Sequence, residues 1–165
     1  MERLYNSMVG RKLDLLESNL NKKAVLLEKM ADVMNEQLQL LDSSDAQLEG
    51  LDVYMEKQDV LTEELEALNE EADTLYEYLK TKDVSFDKAN APKIERIQEL
   101  LSQLTKDFDV LQQKELYVKK QMEGFLQKER RNFGTGRRSS KAALDYYMNM
   151  SGSTVVSPQF MDRKK

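Results

Sequence analysis

Apolar residues recur every seven positions at Leu13, Leu20, Leu27, Met34 and Leu41, and Leu16, Ala24, Met30, Ala31 and Leu38 widen the stripe on the same face. A seven-residue recurrence keeps one side of a helix turned toward a partner along its whole length. The pattern predicts a first helix from about Met8 to Leu41. It breaks at Asp42-Ser43-Ser44-Asp45, where short polar side chains compete for backbone donors and suit an N-cap. One unbroken helix through Leu79 is the alternative, but it would be far longer than a globular helix without a partner. A tight connection instead folds the second helix back alongside the first.

The second helix, about Ser44 to Lys80, carries Leu51, Leu65, Ala72 and Leu79 at one heptad position and Tyr54, Leu61, Leu68 and Leu75 at another. Gln58 interrupts the first of these seams, and a single polar residue at such a place fixes register. Gly50 lies inside the helix and implies a close neighbour or a tolerated weak point. Periodicity is lost from Thr81 to Ala91, with Val84 and Phe86 expected to cover the bundle end. Asn90-Ala91-Pro92 then supplies a cap and a first-turn proline for a third helix to about Phe133. Its seam is Ile94, Ile97, Leu101, Leu104, Phe108, Leu111, Val118, Met122 and Phe125. Three helices of matched length, each about 50 Å long at the α-helical rise, close on one another. The expected fold class is all-α: three long antiparallel helices, up-down-up, in a coiled-coil-like bundle spanning 1–133.

Past Arg131 the character changes. Gly134-Thr135-Gly136 and Arg137-Arg138-Ser139-Ser140 read as a flexible hinge, and Lys141 to Met150 resumes a short amphipathic helix. Leu144, Tyr146, Tyr147, Met148 and Met150, followed by Phe160 and Met161, make this end apolar and aromatic. Flexible thioethers and amphipathic rings suit adaptable contact with another protein. The segment 134–165 is therefore read as a client-binding tail. The same segment can fold back on the bundle as a short fourth helix and also be the element that binds a partner, and neither role excludes a homodimer in which tails exchange.

Composition narrows the classes. With 33% charged and 7% aromatic residues, the chain of 165 residues fits a long helical bundle better than a deep globular core. There is no histidine and no cysteine, which removes thiol chemistry, thiolate metal sites and the commonest general base. Pairs such as Glu63-Glu64 and Glu70-Glu71 are adjacent on a helix and do not converge on a metal. No catalytic, cofactor-binding or metal-binding residue is assigned, and the chain is read as a non-enzyme. The N-terminus lacks a leader pattern and no apolar run is long enough to span a bilayer, so a cytoplasmic protein without membrane insertion is expected. The net charge of −5 conceals an acidic stretch from Asp42 to Glu77 and a basic one from Lys114 to Lys141. Attraction between neighbouring helices explains this better than a nucleic-acid patch, since overall acidity repels phosphate and no aromatics interleave the basic run.

Leu41-Asp42-Ser43-Ser44-Asp45, then Leu48, Leu51, Gln58, Leu61, Leu65 and Leu68, resembles the leucine, acidic turn and glutamine pattern of FlgN-like flagellar export chaperones. Ala142-Ala143-Leu144-Asp145-Tyr146-Tyr147 followed by Gly152 is similar to the late tyrosine and glycine stretch of that family. The resemblance implies a cytoplasmic chaperone that holds hook-associated proteins of the FlgK and FlgL type before export through the flagellar type III apparatus. It also implies that the C-terminal part binds the client, here at Leu144, Tyr146, Tyr147 and Met148. The consecutive tyrosines, the arginine-rich hinge and the ending Pro158 to Lys165 depart from the family pattern. The competing reading is a non-catalytic helical interaction module of another export-chaperone or trafficking class.

Overall fold

The computed structural model describes residues 2–43, 48–82 and 88–133, and these form an all-α helical bundle. Helix α1 runs Glu2–Asp42, α2 Leu48–Lys80 and α3 Ala91–Phe133, the last preceded by a 3-10 turn at Lys88–Asn90. Helix α1 starts six residues earlier than the heptad stripe implies, since nothing from Glu2 to Ser7 forbids helix. The lengths of 41, 33 and 43 residues also leave α2 shorter than its neighbours, not matched to them. Ser44 and Asp45, expected to open α2, lie outside the described residues, as do Val84 and Phe86. Asn90 sits buried at the N-cap position of α3, with Pro92 in the first turn, where its missing N–H costs nothing.

Two helix ends tighten in the same way. Ser43 N–H donates to Leu40 C=O at 3.1 Å after α1, and Thr81 and Lys82 N–H donate to Tyr78 and Leu79 C=O at 3.2 Å after α2. The Thr81 hydroxyl adds a 2.7 Å bond to Tyr78 C=O. These i to i−3 bonds satisfy carbonyls that an α-helical end would leave open.

The chain divides into two compact units, and each helix contributes to both. The first unit takes α1 through Leu27, α2 from Glu64 and α3 through Asp109. Leu13, Leu16, Leu20, Leu65, Ala72, Leu75, Leu101, Leu104 and Phe108 form its apolar core. Asn19 Nδ2 donates to Leu68 C=O at 2.8 Å, joining α1 to α2. Lys93 reaches Asp14 at 2.9 Å and Arg96 reaches Glu17 at 3.1 Å, so α3 runs parallel to α1, while α2 runs antiparallel to it. The second unit takes the remainder of α1 from Glu28, α2 up to Glu63 and α3 from Val110. Met30, Met34, Leu51, Met55, Leu111, Val118, Met122 and Leu126 are buried in it. There Lys114 Nζ donates to Asn35 Oδ1 at 2.6 Å. That pair, like Lys93 with Asp14 and Arg96 with Glu17, is 79 positions apart. The up-down-up order therefore holds in each unit.

Two seam assignments need correction. In α2 the buried companion of Leu51, Gln58, Leu65 and Ala72 is the row of Met55 and Asn69, while of the expected residues Leu75 is buried and Tyr54, Leu61, Leu68 and Leu79 are half-buried. Polar Thr62 and Asn69 hide that row from a reading based on apolar spacing. In α3 the buried seam begins at Ile97, with Ile94 half-buried, and steps from Met122 to Leu126, leaving Phe125 half-buried. A straight helix drifts by about 20° per heptad, so a residue one place further on takes over the buried face.

Leu20 is completely buried, and Leu20→Ala is expected to lower stability by about 2–5 kcal/mol, read as a lower urea midpoint at unchanged slope. Gly124 is exposed in α3, and an added Cβ would meet nothing within 4 Å. Gly124→Ala is expected to raise stability by up to about 1 kcal/mol in the same titration, through helix propensity alone.

Candidate interaction surface

Polar residues enter the core of each unit at heptad positions. Val9, Leu16, Lys23, Met30 and Gln37 follow one another at intervals of seven along α1, and all five are buried. Lys23 has 0% exposure, and Asn19, one turn earlier, has 1%. Asn69 is also buried, and Asp73 lies half-buried one turn beyond it on α2. Burial pushes the Lys23 ammonium down from 10.5 to about 8, against the opposing attraction of Asp73 and Glu71. Composition does not reveal this lysine, but its seven-residue distance from Leu16 and Met30 does. In the second unit Gln58 Nε2 donates to Met30 C=O at 3.2 Å, tying α2 to α1 at one height. The side-chain carbonyls of Asn19, Gln58 and Asn69 are buried without a hydrogen-bond donor among the described residues.

Outside, charge and apolar side chains share the helix faces. In the first unit the Tyr78 ring has Lys12 at 5.3 Å and Lys82 at 5.5 Å from its centroid, both within cation–π range. In the second unit, Lys57 pairs with Glu36 at 3.7 Å and lies over the Tyr54 ring at 5.3 Å. Beside it, Lys29, Asp32, Val33, Lys57, Val60 and Leu61 line a shallow, mostly apolar groove of about 410 Å³ between α1 and α2. Exposed apolar residues of this unit fall on α2 at Val53 and Val60 and on α3 at Val110, Leu116 and Tyr117. Pairs of charges that cross helices at Asp14, Glu17 and Glu36 run through α1, so the acidic α2 and basic α3 keep much of their charge on exposed faces.

Among the described residues, no three acidic side chains gather in a way that could hold a metal ion, and no helix is long and apolar enough to cross a membrane. The residues expected to bind a client, Leu144, Tyr146, Tyr147, Met148, Met150, Phe160 and Met161, lie outside the described residues. Exposed apolar residues on α2 and α3 of the second unit form a surface that inward-facing heptads do not mark. Its signal was present as a second seven-residue spacing, Val53 to Val60 and Val110 to Tyr117.

The class that this architecture defines is an all-α helical bundle of three long helices with polar residues set into its seams. Comparison with known protein families, with characterised proteins and with solved structures found no match.

The Lys23 environment gives a signed expectation. Because the folded-state pKa lies below the unfolded one, between about pH 8 and 10.5 the unfolded chain holds a proton that the folded chain has released. The contribution of Lys23 to stability therefore rises with pH across that window, by at most about 1.4 kcal/mol per pH unit. Urea titrations across the window should show a steeper rise for the native chain than for Lys23→Met. Identical pH profiles would show that the Lys23 ammonium is not depressed.

Proposed function

We propose that this chain is a flagellar export chaperone of the FlgN-like class, acting in the cytoplasm on hook-associated proteins. The observation that carries the reading is the sequence pattern from Leu41 to Leu68 together with Ala142 to Gly152. The described helices are compatible with such a role. Leu51, Gln58 and Leu65 from that pattern are buried, so these pattern residues serve the scaffold and leave client contact to other segments. The apolar and aromatic residues after the third helix are the natural remainder: Leu144, Tyr146, Tyr147, Met148, Met150, Phe160 and Met161.

The physics of capture in this reading is simple. Assembly-prone subunits carry amphipathic terminal helices, and an amphipathic segment on a chaperone covers one by packing an apolar face against it. Buried apolar area supplies the affinity, so capture itself calls for no nucleotide, metal or covalent step. The Met and Tyr content of the segment suits clients of related but unequal shape, because thioether chains repack at little cost.

Removal of Lys141 to Lys165 is expected to leave the helical circular dichroism and the urea transition of the remaining chain in place while abolishing calorimetric binding of hook-associated proteins. Unchanged client affinity in the shortened chain would overturn the assignment of this segment. Recovery of no flagellar protein with the full chain from a native extract would count against the class itself.

A further inference from the structure

Five apolar side chains of the second unit are about half exposed or more: Val53 at 49%, Val60 at 55%, Val110 at 65%, Leu116 at 62% and Tyr117 at 54%. Single exposed valines are ordinary on any protein. These are not scattered. Val53 and Val60 are seven residues apart on α2, and Val110 and Tyr117 are seven residues apart on α3, each pair making a two-turn stripe on one side of its helix. Leu116 broadens the second stripe.

The two stripes have opposite borders. Exposed Glu49, Asp52, Glu56 and Glu63 flank Val53 and Val60, with Lys57 the lone base there and already paired with Glu36. On α3, Lys114, Lys119 and exposed Lys120 border Val110, Leu116 and Tyr117, outnumbering exposed Asp109 beside Val110 and Glu115 beside Leu116. An apolar seam bordered by acid and one of equal spacing bordered mainly by base are complementary in the way that paired helices use flanking charges to choose partners. Both seams belong to the same unit of the same chain.

We infer that the second unit is a self-association surface, in which the α2 stripe of Val53 and Val60 packs on the α3 stripe of Val110, Leu116 and Tyr117 of a second copy. A twofold axis makes this contact twice, since each copy offers one stripe of each kind. Glu56 and Glu63 then border Lys119 and Lys120 across each seam. Pairing of α2 with α2 sets acid against acid, whereas the excess of lysine beside the α3 stripe meets its full complement only on α2, so the charges favour the mixed arrangement. The surface is independent of the client-binding assignment to Leu144 through Met161.

Sedimentation equilibrium of the full chain tests this. A species of twice the 19.2 kDa chain mass is expected, weakening as salt rises because the flanking charges are exposed. Val60→Glu and Tyr117→Glu should each return the protein to monomer with helical circular dichroism unchanged, since both positions are half exposed. E56K/E63K and K119E/K120E should each weaken the dimer, whereas an equimolar mixture of the two variants, or the quadruple variant, should restore it. A native chain that stays monomeric overturns the inference and leaves the stripes to another protein or to none. A dimer indifferent to Val60→Glu and Tyr117→Glu overturns it as well. Loss without restoration by the reciprocal charge exchange overturns the pairing of α2 with α3.

Discussion

Burial of the α1 seam is the constraint on which the rest of the structure depends. Val9, Leu13, Leu16, Leu20, Leu27, Met30 and Met34 are almost wholly removed from water, which needs apolar partners from two other helices at every turn. The polar bonds then record the result. Asn19 reaches Leu68 C=O and Gln58 reaches Met30 C=O between α1 and α2, while Lys93, Arg96 and Lys114 reach back 79 residues to α1. Within each unit these bonds set α3 parallel to α1. Exposed ion pairs such as Lys93 with Asp14 add little energy by themselves. Their value lies in marking a register that apolar packing has already chosen.

Apolar packing alone chooses register weakly, because a seam of leucines accepts a shift of one heptad at small cost. Lys23 and Gln58 alter that balance. A lysine with no exposed surface is tolerable only where Asp73 and Glu71 oppose its charge, and a heptad slip would carry it away from them. Gln58 likewise finds the Met30 carbonyl at one height on α1. Each unit thus has a polar group that is costly to misplace. The depressed ammonium of Lys23 is the expense at which that selectivity is held, since desolvation outweighs the attraction of its two acidic neighbours.

The helices and their order were legible because the strongest heptads coincide with the most buried residues, from Leu13 to Met34 and from Ile97 to Met122. Gln58 is legible as a polar break in the α2 seam, but the other places where a polar residue occupies an apolar position are not. Lys23 stands between Leu16 and Met30 and Asn69 between Met55 and Leu75, so a search for leucine-like residues passes over them and selects Ala24 and Leu68, which are only half-buried. A strict repeat of seven selects Phe125 over Leu126 because it ignores the slow rotation of a real helix, which accumulates along a helix of 43 residues. The start of α1 was hidden too, because helix needs no heptad where a segment has no breaker.

Spacing by seven therefore has two meanings in this chain, and burial separates them. Where the repeat faces inward it is satisfied within the chain, and changing it alters stability. Where it faces outward, on Val53 and Val60 or on Val110 and Tyr117, packing within the chain leaves it unsatisfied and bordering charge limits what can cover it. Apolar contact is indifferent to partner, whereas an acidic border repels acid and admits base. A net charge of −5 spread evenly would discourage any two copies from meeting, but acid concentrated on α2 and base on α3 lets repulsion act at some relative orientations and attraction at others. The distribution of charge, more than its sum, thus decides which faces of this bundle can approach each other.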